Sequence, residues 1–195
     1  ISPQNEADSP INQTRFTQPI LFAFEYALSE LWRSWGIIPD YVMGHSVGEY
    51  TAACVAGVFN FRTGLKLIAE RGRLMQSLPE GGTMAAVKIG GDELGQAIEA
   101  SGIKGVEVAA FNGPQSSVMA GTAEAVQAMC AKLEEEEIKN KELTVSHAFH
   151  SHLMDPILDN FKSFVEQFEL QAPITPVISN LSGDVAGDEL LQADY

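Results

Sequence analysis

The 195-residue chain is long enough for one sizeable domain, or for a domain with a small partner, and it can bury a core. Hydrophobic residues make up 45% and charged residues 19%, which is typical of folded proteins and excludes an intrinsically disordered chain. The net charge of −14 disfavours nucleic acids and anionic membrane surfaces as partners, because both would be repelled. We therefore expect neither partner.

The sequence has no stretch close to the roughly 20 apolar residues of a membrane-spanning helix, and no leader peptide is recognisable. The two cysteines, Cys54 and Cys130, lie in apolar segments, and their spacing suggests neither a metal site nor a disulfide framework. Two buried thiols in a reducing compartment account for them. We expect a cytoplasmic protein with no metal and no bound cofactor.

The first 14 residues are polar and include two prolines, which predicts a linker or a loop. A helix is predicted from Pro19, as a first-turn proline, to Gly36, where the apolar periodicity stops. An extended segment at residues 37–46 and helices at residues 47–60 and 61–78 are predicted next. Strand, sharp turn and helix therefore surround Ser46.

The pattern changes near Met84, where a strand, a helix, two strands about an Asn-Gly-Pro turn, a helix and a strand follow. This is the order of a ferredoxin-like unit, so we predict a small subdomain at residues 83–146. Residues 1–82 and 147–195 would form the larger subdomain. The predicted fold is α/β, with a hydrolase-like core built on a parallel sheet and a nucleophile elbow, plus the inserted ferredoxin-like subdomain.

The stretch Gly44-His45-Ser46-Val47-Gly48 fits a nucleophile elbow, in which glycines let the backbone turn sharply and leave the serine hydroxyl exposed. The turn would also place Ser46 at a helix N-terminus. There the backbone N–H of Val47 could stabilise an oxyanion. Ser46 is therefore a candidate nucleophile.

Serine is a weak nucleophile at neutral pH and needs a base within hydrogen-bonding reach. His45 follows Gly44 on the tight turn, and adjacent residues there tend to point apart, so we expect it to pack. The other histidines are His147, His150 and His152, and one of these three is the expected base.

Four motifs in order resemble the acyltransferase family of polyketide synthase modules and fatty-acid malonyl transacylases. "GHSVGEY" resembles the nucleophile motif, "ERGRLMQ" the arginine helix, "FTQP" the segment ahead of the first long helix, and "HAFHS" the histidine motif. The resemblance begins near Thr14 and continues to the end of the chain. It implies that the chain is part of an acyltransferase domain.

The resemblance implies a role for individual residues. Ser46 would be the nucleophile and His150 the general base, while Arg71 would bind the substrate carboxylate. Gln18 would line the pocket, with Asn112 near it. The backbone carbonyl of Asn180 would accept a hydrogen bond from His150 and orient the imidazole, as an aspartate does in other triads.

The resemblance also implies a substrate and partners. The tetrapeptide from His147 to His150, with Phe149 inside it, resembles the malonyl-selective form, since a bulky ring fills the space that a methyl branch would need. By the same resemblance, Val47 also indicates selectivity for malonyl. The donor would be malonyl-CoA and the acceptor the phosphopantetheine thiol of an acyl carrier protein, with a ketosynthase among the neighbouring domains.

The sequence departs from the family pattern in one respect. The family's Gly-Gln-Gly segment near the start of the domain, which supplies a second oxyanion contact, is not in this chain, and family members are longer at both ends. We therefore expect an acyltransferase that lacks its N-terminal part. Two alternatives stay open at this point: a serine hydrolase, and a non-catalytic remnant that docks neighbouring synthase domains.

Overall fold

The computed structural model describes residues 9–195. Most of the predicted N-terminal linker lies outside these residues; within them, Pro10–Asn12 form a 3-10 turn. The helices are α1 (Thr14–Ser34), α2 (Val47–Val55), α3 (Phe61–Gln76), α4 (Gly91–Ser101), α5 (Ala123–Glu135) and α6 (Asp155–Val165). The strands are β1 (Val42–Met43), β2 (Gly82–Val87), β3 (Val106–Gly113), β4 (Ser116–Thr122), β5 (Asn140–Glu142) and β6 (Val177–Ile178). None of the helices in this range is long and apolar enough to cross a membrane.

The first helix starts earlier than predicted. Pro19 lies inside α1, five residues after Thr14, so the prediction that it occupies the first turn is wrong. A proline at that position removes the N–H that would bond the carbonyl of Arg15. The extra turn is stabilised by tertiary packing, because the backbone of Thr14 and Arg15 lies within 3.0 to 3.1 Å of where a Cβ on Gly72 of α3 would stand.

The chain divides into two compact units. The first contains the described residues up to Gln76 together with Asp159–Tyr195, and the second is Ser77–Leu158. The second unit is wider than the predicted subdomain at residues 83–146, and on its C-terminal side Ala148, Phe149 and Leu153 pack on its sheet. The predicted subdomain boundaries themselves stay a prediction.

In the first unit, β1 and β6 pair in parallel, with Val42 opposite Val177 and Met43 opposite Ile178. The small residues of α2 pack against this sheet and share a buried cluster with Val177. A second cluster joins α1, α2 and α3 through Phe22, Cys54 and Ile68. A parallel sheet covered by helices is the predicted hydrolase-like arrangement.

The second unit has the order β2-α4-β3-β4-α5-β5 and a four-stranded antiparallel sheet of order β3-β4-β2-β5. This is the ferredoxin-like topology that the sequence predicted. Helices α4 and α5 cover one sheet face through a buried core that includes Leu94, Val126 and Met129. The other face, with Met84, Val118 and Ala120, packs against Ala148 and Phe149.

Candidate active site

Ser46 lies between β1 and α2, as the N-cap residue of α2, with φ 54° and ψ −109°. The predicted strand, turn and helix around it are confirmed. A positive φ is unfavourable for a residue with a Cβ and costs about 1–3 kcal/mol, so the surrounding structure must hold it in place. Strain of this kind is typical of a nucleophile elbow.

The two glycines of the motif have different structural roles. A Cβ on Gly44 would lie 2.0 Å from the carbonyl carbon and oxygen of Gly48, so no side chain fits there. A Cβ on Gly48 would meet nothing nearer than the Glu25 carboxylate at 3.8 Å. Gly44 is therefore required by the close approach of the first turn of α2 to the preceding loop, and Gly48 is not.

Asn180 holds the elbow from the end of β6. Its side-chain oxygen accepts a hydrogen bond from the Ser46 N–H at 3.3 Å, and its amide nitrogen donates to the Gly44 carbonyl. The backbone N–H of Asn180 donates to the Glu49 carboxylate at 3.0 Å. One residue thus fixes the backbone on both sides of His45 and the first turn of α2.

The N-terminus of α2 is the expected oxyanion site. Val47 is the first residue of α2, and the N–H groups of a first helical turn have no acceptor within the helix. The helix dipole adds partial positive charge at the same end. The Val47 side chain packs against the cluster of Phe22, Cys54 and Ile68, and this packing orients the start of the helix.

Arg71 of α3 and Gln18 of α1 form a pair. The Arg71 Nη1 donates to the Gln18 Oε1 at 2.7 Å, and the Gln18 amide nitrogen lies 3.1 Å from the Met75 sulfur. The guanidinium carbon also lies 5.6 Å from the centroid of the Tyr50 ring. Gln18 is 5% exposed, so these contacts hold the guanidinium in one position.

Burial lowers the pKa of the Arg71 guanidinium, while Tyr50 and, less strongly, Glu49 oppose the change. Burial raises the pKa of Tyr50. No acidic side chain within residues 9–195 forms an ion pair with Arg71. Arg73, two residues further along α3, is instead exposed and paired with Glu70 at 2.6 Å. Arg71 is therefore a partly desolvated cation suited to a ligand carboxylate.

Glu49 links the elbow to the last residue of the chain. Its carboxylate accepts a hydrogen bond from the Tyr195 hydroxyl at 2.6 Å, and that hydroxyl lies 2.6 Å from the Ser179 hydroxyl. Burial and the bond to Glu49 raise the pKa of Tyr195 to about 12. The network supports Asn180, because Ser179 precedes it and Glu49 binds its N–H.

His150 lies in the second unit, in the segment between β5 and α6, and has φ 58°. The residue is exposed. Ser151, which is 8% exposed, follows it; its hydroxyl donates to the Ala148 carbonyl at 2.7 Å and accepts from the Leu153 N–H at 3.3 Å. These contacts close a turn around the unfavourable backbone of His150.

His147 is 2% exposed, and both of its ring nitrogens have partners. Nε2 lies 3.2 Å from the Leu78 carbonyl and Nδ1 lies 3.0 Å from the Ser146 hydroxyl. Because a carbonyl can only accept, Nε2 carries a proton, and a neutral ring then accepts from Ser146 at Nδ1. His147 is thus an anchor, and the Phe149 ring packs near it at 6.1 Å between centroids.

The structure pairs Arg71 with Gln18 and Ser46 with Asn180, and it divides the predicted residues between the two units. Ser46, Val47, Arg71, Gln18 and Asn180 lie in the first unit, whereas His147, Phe149, His150 and Asn112 lie in the second. Asn112 is exposed near the end of β3. His45 is also exposed, which differs from the expectation that it packs.

Sequence reasoning missed the side chains that hold the elbow, namely the Asn180 amide, Glu49 and Tyr195. One signal was available for Asn180: the carboxyl ends of parallel strands meet at one sheet edge, so the residues after β1 and after β6 should be neighbours. No sequence signal indicates that Tyr195 reaches Glu49.

Comparison with known proteins agrees with this geometry. Residues 4–195 match the family described as acyl transferase domain. The chain is 46% identical over 191 residues to polyketide synthase GfsA of Streptomyces halstedii, covering 98% of this chain and 3% of that protein. It is thus similar to a small part of a much longer protein.

Solved structures give the same result. The acyltransferase domain from the second module of the salinomycin polyketide synthase is 44% identical, with a TM-score of 0.89, over 99% of this chain and 45% of that one. Malonyl CoA-acyl carrier protein transacylase from Burkholderia pseudomallei is 32% identical, with a TM-score of 0.84, over 95% of this chain and 67% of that one. The chain therefore belongs to the acyltransferase domain family of polyketide synthases and malonyl transacylases.

Proposed function

We propose that the chain transfers a malonyl unit from malonyl-CoA to the phosphopantetheine thiol of an acyl carrier protein, through an acyl-Ser46 intermediate. The observation that carries this proposal is the partly buried Arg71, which is held by Gln18 and forms no salt bridge with an acidic side chain among residues 9–195. It lies in the same compact unit as Ser46. A desolvated arginine fork of this kind favours a substrate that carries a free carboxylate.

In the first half-reaction, the Ser46 oxygen attacks the thioester carbonyl of malonyl-CoA while His150 accepts the hydroxyl proton. The oxyanion that forms is stabilised by the Val47 N–H at the start of α2. The C–S bond then breaks, and the CoA thiolate leaves with the proton from His150. Malonyl-Ser46 and free CoA are the products.

The second half-reaction follows the steps of the first in reverse, with the thiol of the carrier in place of CoA. The phosphopantetheine thiol of the carrier gives its proton to His150 and attacks the malonyl ester carbonyl. The C–O bond to Ser46 breaks, and Ser46 recovers the proton. Arg71 binds the malonyl carboxylate throughout both steps, so it fixes the acyl group relative to the serine.

The assignment of His150 as the base agrees with what its neighbours do. His147 is buried with both ring nitrogens engaged, and the Nδ1 of His152 lies 2.7 Å from Glu107. His150 lies between them and is exposed, as is His152. We propose further that the Asn180 backbone carbonyl orients its imidazole, and that Asn112 lies near the substrate.

Selectivity for malonyl over methylmalonyl is proposed to come from His147 and Phe149. Phe149 packs against both His147 and the sheet face of Met84, Val118 and Ala120, so its ring has little freedom to move aside. A fixed ring leaves no room for a methyl branch. A single methyl group is worth only about 1–3 kcal/mol, so we expect a preference of about 10- to 200-fold.

The test is intact-protein mass spectrometry after incubation with malonyl-CoA. We expect a malonyl adduct on the wild-type chain, mapped to Ser46 by peptide digestion, and no adduct on Ser46→Ala. A chain that folds but neither acquires an adduct nor hydrolyses malonyl-CoA would contradict the proposal and favour a docking role beside a ketosynthase.

A serine hydrolase is the alternative enzyme, and the fate of the adduct separates the two. We expect malonyl-Ser46 to persist in buffer and to be discharged when holo-carrier protein or a pantetheine thiol is added. Discharge at the same rate in buffer alone would favour the hydrolase instead.

A further inference from the structure

Glu107 makes a contact that the proposed mechanism does not use. Its side-chain Oε1 accepts two hydrogen bonds from His152, one from the backbone N–H and one from the ring Nδ1, each at 2.7 Å. Both side chains are exposed, at 44% for Glu107 and 43% for His152. The two residues lie 45 positions apart in the chain, so the contact is tertiary.

The sheet explains why Glu107 reaches this segment. Glu107 of β3 is paired with Ala120 of β4, and directly paired residues point to the same face of a sheet. Ala120 belongs to the face that packs against Ala148, Phe149 and Leu153. Glu107 therefore lies on the same sheet face as the segment that contains Ala148, Phe149 and Leu153.

The contact fixes the backbone two residues after His150. Before His150, the ring of His147 is bonded to the Leu78 carbonyl, and Ala148 is buried. After it, Glu107 binds the His152 N–H. His150, with φ 58°, thus lies between two points that are tied to the same unit. An unfavourable φ persists only where neighbouring contacts determine it.

We propose that Glu107 is a positioning residue for His150: by binding the backbone N–H of His152, it holds the turn in the conformation that presents the imidazole. This inference rests on the proposed function of His150 as the base. The backbone bond is the important one, because an exposed ion pair by itself contributes little. A carboxylate–amide bond with good geometry is stronger.

Three variants separate the backbone bond from the ion pair. Glu107→Ala removes both bonds. Glu107→Gln keeps an oxygen that can accept from the His152 N–H, but it removes the charge. His152→Ala keeps the backbone bond and removes the ring. Glu142→Ala is the matched control, since Glu142 is an exposed carboxylate of the same sheet that accepts from Thr83 at 2.9 Å.

The primary measurement is the rate of malonyl-Ser46 formation as a function of malonyl-CoA concentration. We expect Glu107→Ala to lower the maximal rate about tenfold, since small misplacements of a catalytic group have effects of this order. The half-saturating concentration should not change. Glu107→Gln should restore most of the rate, and His152→Ala and Glu142→Ala should stay within about twofold of the wild type.

The proposal is overturned if Glu107→Ala matches the wild type, or if the alanine and glutamine variants are equally slow. It is also overturned if the urea midpoint falls and the half-saturating concentration rises together, because that pattern indicates a purely structural role.

Amide hydrogen exchange tests the anchor without relying on activity. We expect Glu107→Ala to raise exchange in residues 150–154 and to leave α4 and α5 unchanged. Unchanged exchange there overturns the anchor itself. A wild-type chain that forms no malonyl-Ser46 overturns the proposed function instead, so the two failures are distinguishable.

Discussion

Ser46 and His150 both have a positive φ, at 54° and 58°, yet the two compact units hold them in different ways. At the elbow, the backbone of Gly44 and the first turn of α2 are so close that no side chain fits between them. In residues 147–154, side-chain bonds hold the backbone instead: Ser151 donates to the Ala148 carbonyl, Glu107 accepts from the His152 N–H, and the His147 ring is bonded to the distant Leu78 carbonyl.

Because the two sites are held differently, we expect them to respond differently to mutation. An arrangement fixed by backbone contact has no flexible atom that can move aside, so one added carbon should disrupt it. An arrangement fixed by several side-chain bonds should weaken stepwise as bonds are removed. A substitution at the Ser46 elbow should therefore remove both folding stability and acylation. A substitution at the turn around His150 should lower the acylation rate before it lowers stability.

Gly44→Ala should have the largest effect. The new Cβ would lie 2.0 Å from the Gly48 carbonyl, which only a shift of α2 can relieve, so we expect a loss of about 3 kcal/mol or more in the free energy of unfolding. Malonylation of Ser46 should be lost as well. Urea unfolding followed by circular dichroism measures the first effect.

Gly48→Ala is the matched control for this variant. Because the nearest atom to its Cβ is 3.8 Å away, we expect a change within about 0.5 kcal/mol, with the higher helix propensity of alanine offsetting any strain. Equal losses in the two variants would mean that backbone contact does not fix the elbow.

Ser151→Ala should have an intermediate effect. The variant loses one bond to the Ala148 carbonyl and one from the Leu153 N–H, so we expect a cost of about 1–2 kcal/mol in the free energy of unfolding. The acylation rate should fall by more than the loss of stability explains, because His150 is next to the removed hydroxyl.

Ser101→Ala is the control for Ser151→Ala. The Ser101 hydroxyl bonds a carbonyl three residues back at 2.6 Å and an N–H two residues on at 3.0 Å, in the same pattern but at the end of α4. It should cost similar stability and leave acylation unchanged. A parallel loss of acylation in both would show that stability alone is being measured.

Asn180→Ala removes the side-chain bonds to Ser46 and Gly44, and we expect a smaller loss of about 1 kcal/mol, since Asn180 is exposed. Thermal unfolding measures it. Asn180→Asp keeps an acceptor for the Ser46 N–H but loses the donor to Gly44, so it should fall between alanine and the wild type. If alanine is neutral, Gly44 alone holds the elbow.

Tyr195 acts mainly through its titration, so replacing it should have the smallest effect near neutral pH. Its pKa of about 12 in the folded chain lies above the ordinary value of 10.0, mainly because burial disfavours the phenolate. The folded state therefore keeps its proton to higher pH than the unfolded state. This contribution to stability is complete below pH 10 and is lost as pH rises from 10 to 12.

The measurement is the free energy of unfolding at several pH values, with Tyr195→Phe as the comparison. The decline between pH 10 and pH 12 should be shallower in the phenylalanine variant. Identical slopes would remove Tyr195 from the network that supports the elbow.

Much of the fold could be predicted from periodicity and turn residues, because α2, α3 and the ferredoxin-like order depend on local patterns. The start of α1 could not, since tertiary packing on Gly72 extends the helix past Pro19. The contact of Glu107 with His152 joins residues far apart in sequence, and nothing local indicates it.

The candidate site likewise has residues that local sequence predicts and residues whose role depends on tertiary contacts. Ser46 was predictable because the elbow is a short motif whose glycines have a local steric reason. The resemblance implied Arg71, but only the three-dimensional structure shows that no acidic side chain among residues 9–195 forms a salt bridge with it. The Asn180 side chain required knowledge of which strands pair.

The most direct test of the central claim is a competition between malonyl-CoA and acetyl-CoA for Ser46, followed by intact-protein mass spectrometry. We expect the wild type and Arg73→Ala to take malonyl predominantly, because Arg73 is exposed and paired with Glu70. Arg71→Ala should reduce the malonyl-to-acetyl ratio by about 10- to 100-fold, the size expected for a lost charge-assisted bond. An unchanged ratio in Arg71→Ala would contradict the account.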